Sequence, residues 1–305
     1  MKMYRGETIL SGGIRKENSL AMSQYTDLEL QLKSVKYRKA LLKYIKLANA
    51  GHTGGDLSCT DILNVLYNDV LGVTPENFAI RHRNRFVQSK GHSVEALYVV
   101  LADKGFFPES DLETMCQYQS KYVGHPTRKV KGIEFNTGAL GHGLSIAAGI
   151  ALAAKMDKTE NYVFTLLGDG ELAEGSNYEA AMMAAHYKLD NLVAILDHNT
   201  LQITGRNREV CSPYPIDEKF KAFGWEVVSV DGNSIPELRK VFHELPAEKS
   251  KPTLIIANTV KGKGVSYMED EKKWHHGVPS DEQYKQAMDE LDALEKKLVK
   301  HSIVN

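Results

Sequence analysis

Between residues 27 and 50, Leu28, Leu30, Leu32, Val35, Leu41, Leu42, Ile45 and Leu47 recur at roughly helical spacing among charged residues. That pattern predicts one long amphipathic helix, ended by Gly51. A second helix is expected to open near Ser58, where SCTDILNVLY sets capping residues ahead of an apolar face. Further along, short β-rich runs occur at 162–167, 192–196, 225–230 and 253–257. The stretches 174–188 and 235–244 read as helices, and 280–300 reads as a charged helix opened by Ser-Asp-Glu. Apolar strands alternating with helices predict an α/β fold, a mostly parallel central sheet with helices on both faces. Such a sheet binds ligands at the carboxyl ends of its strands. Residues 1–22 are polar and contain glycine, and are expected to form a flexible arm, leaving 23–305 as the folded domain.

Composition narrows the function classes. The 305 residues are 42% hydrophobic and 25% charged, an ordinary globular balance with enough length for a substantial core. A formal net charge of -1 gives no basic excess for nucleic-acid binding. Cys59, Cys116 and Cys211 are scattered with no CxxC pair, so neither a disulfide framework nor a zinc site is expected. The opening MKMYRGETILSGGIRKENSL lacks a signal-peptide run, and no stretch approaches the ~20 apolar residues of a membrane span. A reducing, cytoplasmic setting without membrane contact is the expectation.

The sharpest chemical motif is Gly168-Asp169-Gly170, placed between the apolar run NYVFTLL and the helical stretch ELAEGSNYEAAMMAAH. A strand, a glycine turn and a helix start form an anion site, because free N–H groups and the helix dipole point at the turn. Glycine also lets the backbone approach a phosphate closely. A bare phosphate loop has no need of the aspartate. Its presence suggests a hard cation bridging protein and phosphates, most simply Mg2+. A second oxygen ligand is then expected at the end of the next strand, where NLVAILDHNTLQITG offers Asn199.

The GDG turn followed by that asparagine is similar to the signature of thiamine-diphosphate enzymes. The resemblance implies that Asp169, Asn199 and the main-chain carbonyl of Leu201 hold magnesium on the diphosphate. The histidines select a family within that group. Of 11, several stand in glycine-adjacent turns: Gly51-His52, Lys90-Gly91-His92, Gly124-His125-Pro126 and Trp274-His275-His276-Gly277. In order, ANAGHTGGDLS, RNRFVQSKGHSVEALY, GHP with GIEFNTGALGHGLSIAAGIALA, and TVKGKGVSYMEDEKKWHHG resemble elements of transketolases, across about residues 25–285.

The resemblance implies ketol transfer, in which a two-carbon unit moves from a ketose phosphate to an aldose acceptor and the cofactor serves as electron sink. His52, His125 and His275 would be the proton-transfer groups around the sugar, as neutral imidazoles. His92 would bond the diphosphate, Gly138 and Leu140 would position the central ring, and Gly170 and Lys261 would help neutralise the diphosphate. Glu174 and Glu179 match carboxylates of the family's subunit interface, and Glu174 is also a cofactor-site candidate. The sequence departs from the family at Thr53, in place of a proline, and at His142, in place of a glutamine. The doubled His275-His276 leaves the register open, and both are candidates.

In full-length transketolases a second domain supplies the carboxylate that activates the aminopyrimidine ring and most of the sugar-phosphate grip. No such domain follows residue 305 here, so the expected partner is a separate pyrimidine-binding polypeptide in an α2β2 assembly. Alternative readings are an α-type subunit of a 2-oxo-acid dehydrogenase, a deoxyxylulose-phosphate synthase-like fragment, or a non-catalytic cofactor-binding subunit. The histidine turns and KGKG…WHHG fit the first two less well. A nicotinamide-binding reading is weak because GALGHG does not match GxGxxG.

Overall fold

The computed structural model describes residues 25–304, and the arm expected at 1–22 lies outside the described residues. The chain runs through α1 (Asp27–Ala48), α2 (Thr53–Val65, continued by a π-helical turn to Val70), β1 (Arg85–Gln88), α3 (Val94–Asp103) and α4 (Gly143–Met156). It continues with β2 (Val163–Gly168), α5 (Gly175–His186), β3 (Leu192–His198), α6 (Asn207–Val210), α7 (Ile216–Ala222), β4 (Glu226–Asp231), α8 (Ile235–His243), β5 (Thr253–Asn258) and α9 (Asp281–Val304). The strands form one parallel sheet in the order β1-β2-β3-β5-β4. Among the described residues no helix is long and apolar enough to cross a membrane.

Alternation along the strands builds two cores. In β3, Val193 and Ile195 face one side, while Leu192, Ala194 and Leu196 face the other. In β5, Ile255 and Ala257 join the first set, and Leu254 and Ile256 the second. α1, α2, α3, α8 and α9 cover the first face; α4, α5 and α7 cover the second. All these strand side chains are buried, and each large one contributes on the order of 2 kcal/mol to folding. Parallel strands covered on both sides read as continuous apolar runs, which is why β2, β3 and β5 are legible in the sequence.

The differences from expectation have local causes. α1 starts where predicted, with a capping box in which Thr26 and Glu29 bond reciprocally, and ends at Ala48 with Asn49 left-handed. α2 begins at Thr53, five residues before the expected Ser58, because Gly54 serves close approach and neither it nor Gly55 breaks the helix. A Cβ on Gly54 would lie 2.9 Å from the carbonyl oxygen of Trp274. β1 was not expected, since RFVQ is too short to carry a period, and α4 is apolar almost throughout. α4 packs through Ala147, Ala148 and Ala151 against Ala180, Ala181 and Ala184 of α5, where small side chains let the helices lie close.

Candidate active site

The carboxyl ends of β1, β2, β3 and β5 open onto a cavity of about 410 Å³. Each strand leads into a turn that delivers polar groups to it. β1 leads to Lys90 and His92, β2 to Asp169 and Gly170, β3 to Asn199 and Leu201, and β5 to Lys261. Pairing of Gly168 with Asp197, and of Asp197 with Ala257, sets three of these strand ends at one level. His52, N-cap of α2, enters from the side, as do His125, Gly138, Leu140 and His275.

The structure therefore brings His52, His92, His125, Gly138, Leu140, Asp169, Gly170, Asn199, Leu201, Lys261 and His275 around one space. Glu174 and Glu179 are exposed outside the cavity lining, Glu174 beside Gly141. His142 is also exposed and outside the lining, its Nδ1 3.1 Å from the carbonyls of Ala139 and Leu140. The doubled histidines separate by position. His275 lines the cavity, whereas His276 is exposed and does not, although its ring lies 4.7 Å from that of His52.

Asp169 is 2% exposed. One carboxylate oxygen accepts from the Gly170 N–H at 2.8 Å and the other from the Thr200 N–H. Among the described residues no lysine or arginine forms an ion pair with it. Burial, with the neighbouring Asp197 charge, pushes its carboxyl above the ordinary range, the mark of an anion short of a counter-charge. Asn199 Oδ1 stands at the next strand end, accepting from the Leu201 N–H at 3.2 Å. The Leu201 carbonyl accepts from Lys261 Nζ at 3.1 Å.

Lys261 is 2% exposed, and burial with the nearby Lys90 charge lowers its pKa to about 8. It remains largely an ammonium at neutral pH, so its 2.9 Å contact with His275 must donate to Nδ1. That bond places the ring proton of His275 on Nε2. Burial and then the Lys261 charge depress His275 to about 3. Burial and the surrounding imidazoles and lysines depress His52 to about 4, and burial lowers His92 and His125. The His52 ring lies 5.3 Å from that of His92, 6.1 Å from His125 and 5.7 Å from His275, and His92 stacks on His275 at 5.3 Å. These imidazoles are thus held neutral, able to accept or donate a proton without a standing charge.

Sequence reading missed five groups around the cavity: Lys90, Glu171, Gln202, Ile203 and Thr204. Lys90 pairs with Asp197 in the interior and donates to the Gly55 carbonyl at 3.0 Å. Asp197 also accepts from Ser58 at 2.6 Å and from Thr259, and Lys90 with these hydroxyls outweighs burial, holding its carboxyl below the usual range. Glu171 accepts from the Ser89 hydroxyl, from the Gly141 N–H at 2.8 Å and from the Gly168 N–H at 3.0 Å. One buried carboxylate so ties together the turns after β1 and β2 and the loop before α4. Proximity to Gly168-Asp169-Gly170 was the available signal for Glu171; Gln202, Ile203 and Thr204 carry no local signal.

The residues fit a diphosphate ligand with a divalent cation. Gln202 Nε2 and His52 Nδ1 are buried without a hydrogen-bond partner among the described residues and belong to lining residues, so a polar ligand would satisfy them. Gly138, with φ 129°, admits His125 closely: a Cβ there would lie 2.5 Å from the His125 ring. Among the described residues no three His, Cys, Asp or Glu groups form a metal cluster. One carboxylate, one amide and one carbonyl leave other positions to phosphate oxygens and water, as magnesium prefers.

Comparison with known proteins gives a consistent answer. Residues 31–298 match the family model described as transketolase, thiamine diphosphate binding domain. The chain is 50% identical over 273 residues to an apulose-4-phosphate transketolase subunit of Phocaeicola vulgatus, covering 90% of this chain and 97% of that one. It is 39% identical over 266 residues to a 6-deoxy-6-sulfo-D-fructose transketolase subunit of a Clostridium species, covering 87% and 97%. Among solved structures, transketolase from Campylobacter jejuni superposes with a TM-score of 0.76 at 30% identity, covering 91% of this chain and 48% of that chain. This chain thus spans about half the length of that transketolase.

Proposed function

The chain belongs to the transketolase family, within its thiamine diphosphate-binding domain, and on that premise we propose that it is the cofactor-binding subunit of a two-subunit transketolase. The reaction moves a two-carbon ketol unit: the C2–C3 bond of a ketose phosphate breaks, and a new carbon–carbon bond forms to the carbonyl carbon of an aldose. Thiamine diphosphate, when bound, supplies the electron sink for that cleavage. The partner is a second polypeptide carrying the pyrimidine-binding domain, in an α2β2 assembly in the cytoplasm. Support comes from the relatives of matching span, which are named as transketolase subunits. Apulose 4-phosphate, which names the 50% identical relative, is the first donor to assay, with pentose-phosphate ketoses beside it.

This chain's residues would divide the work. Asp169, Asn199 and the Leu201 carbonyl would hold magnesium, with Lys261, His92 and the Gly170 N–H turned to the diphosphate. Gly138 and Leu140 would support the central ring. His52, His125 and His275 would exchange protons with sugar hydroxyls, His275 through the Nε2 proton that Lys261 fixes in place. Glu174 and Glu179, both exposed, are assigned to contact between subunits.

The observation that carries the reading is the single cavity that gathers Asp169, Asn199, Leu201 and Lys261 with four neutral imidazoles. Calorimetric titration with thiamine diphosphate, with and without magnesium, tests it on Asp169→Ala. Magnesium-dependent binding should vanish while the cofactor-free fold stays as stable as the parent or more so, since a buried, cation-short carboxylate is removed. Normal magnesium-dependent binding by the variant would overturn the assignment.

A further inference from the structure

Two buried acids stand behind the histidines, and the function above does not use them. Asp56 lies in the first turn of α2 and is 0% exposed; Glu95 lies in the first turn of α3 and is 2% exposed. One oxygen of Asp56 accepts from the Ala96 N–H at 3.0 Å, so Asp56 caps α3 and joins the two helix starts. Its other oxygen, and Glu95 Oε2, have no N–H or O–H donor from any other described residue. The Ala96 bond brings the Asp56 carboxyl to the first turn of α3, where Glu95 stands, and burial, with the Asp56 charge added to it, raises the Glu95 carboxyl. Burying two charges without a cation between them is prohibitive, and neighbouring carboxyls escape the cost by sharing one proton.

Their place in the fold gives that proton a use. His52 caps α2, and its carbonyl accepts from the Gly55 and Asp56 N–H groups at 2.9 and 3.1 Å. His92 lies in the short turn that leads into α3. Glu95 also underlies the turn that carries His125. A Cβ on Gly124 would lie 3.9 Å from Glu95 Oε1, and Tyr98 on the same helix donates to the carbonyls of Val123 and His125. The pair therefore sits where the segments bearing His52, His92 and His125 meet.

We propose that Asp56 and Glu95 share a single proton, and that this acid–carboxylate bond is a positioning device holding the three histidine turns in register around the cofactor cavity. The role at the cavity rests on the thiamine reading; the shared proton does not. Lys90 and Cys59 face Asp56, and Cys116 and Tyr98 face Glu95. Lys90 is committed to Asp197, and burial raises the two thiols and the phenol, so none of these supplies a full counter-charge. Burial, with the Asp56 charge, holds Glu95 well above the ordinary 4.5, and burial raises Asp56 too. A carboxyl whose pKa is raised by folding stabilises the fold below its unfolded value, and that contribution is lost as pH rises through the folded value. Alkaline pH should therefore split the pair, loosen the turns and weaken cofactor binding.

The test compares the full chain with Glu95→Gln, which keeps an N–H donor for Asp56 without a titrating proton, and Glu95→Ala, which leaves Asp56 unpaired. Infrared spectra should lose the protonated-carboxyl band in Glu95→Gln, where the amide donates to an ionised Asp56, and show it shifted in Glu95→Ala, where Asp56 keeps the proton alone. Glu95→Gln should retain magnesium-dependent thiamine diphosphate affinity within about threefold of the parent at neutral pH, while Glu95→Ala weakens it by about tenfold or more. The parent's loss of thermal stability toward alkaline pH should flatten in Glu95→Gln. An unchanged infrared band, or an alkaline slope in Glu95→Gln equal to the parent's, overturns the shared proton. Equal affinity in both variants overturns the positioning role. If no protein binds thiamine diphosphate even with the pyrimidine-domain partner present, the thiamine reading and the positioning role fail together, and the band and the stability slope still decide the shared proton.

Discussion

At the scale of single residues, the site depends on which nitrogen of which histidine carries a proton. Lys261 settles this for His275, because an ammonium can only donate, and the donation to Nδ1 leaves Nε2–H free. His276 stands exposed outside the lining, away from that lysine bond. His275→Ala should therefore lower kcat/KM of the assembled enzyme by about 100-fold or more, and His276→Ala by less than about tenfold. Steady-state kinetics of the two variants checks this, and a larger loss for His276→Ala would reverse the assignment. The depressed histidines also shape stability. His52 at about 4 and His275 at about 3 lie below the 6.5 of the unfolded chain, so the fold binds fewer protons and loses stability as pH falls from 6.5 toward those values.

At the scale of elements, the turns after the strands are fixed by contacts between segments far apart in sequence. Gly143, at the start of α4, faces Ser89 after β1, where a Cβ would lie 2.3 Å from the serine Oγ and 2.7 Å from its Cα. The Ser89 hydroxyl accepts from the Gly143 N–H at 3.1 Å and donates to Glu171, which in turn accepts from Gly168, so any shift is passed to the GDG turn. Gly143→Ala should cost about 2 kcal/mol in urea unfolding at unchanged slope, with weaker cofactor binding beside it. Unchanged stability would show that the interlock is slack. This interlock also explains what was legible in the sequence. Asp169, Asn199 and the histidine turns stand out because each carries its chemistry beside a glycine or at a strand end. Glu171, Lys90 and the Asp56–Glu95 pair act through tertiary neighbours, and nothing in their local sequence announces them. The same holds for elements: β2, β3 and β5 declare themselves by burial on both faces, while β1 and the start of α2 exist through what packs on them.

At the scale of the molecule, one sheet aligns strand ends so that residues from β1, β2, β3 and β5 meet at one cavity. α4 adds a second whole-molecule feature. Its sequence GLSIAAGIALAAKM has almost no polar face, yet Met156 is 75% exposed at its end, and Met182 of the adjoining α5 is 53% exposed. Helices apolar all round belong in buried places, and assembly with other subunits would supply one. The measurement that bears most directly on the two-subunit proposal is ketol transfer from apulose 4-phosphate and from xylulose 5-phosphate to an aldose acceptor, with thiamine diphosphate and magnesium. It is run on this chain alone, on the pyrimidine-domain partner alone, and on the mixture. Transfer in the mixture, and in neither component by itself, is the predicted result; transfer by this chain alone would contradict it.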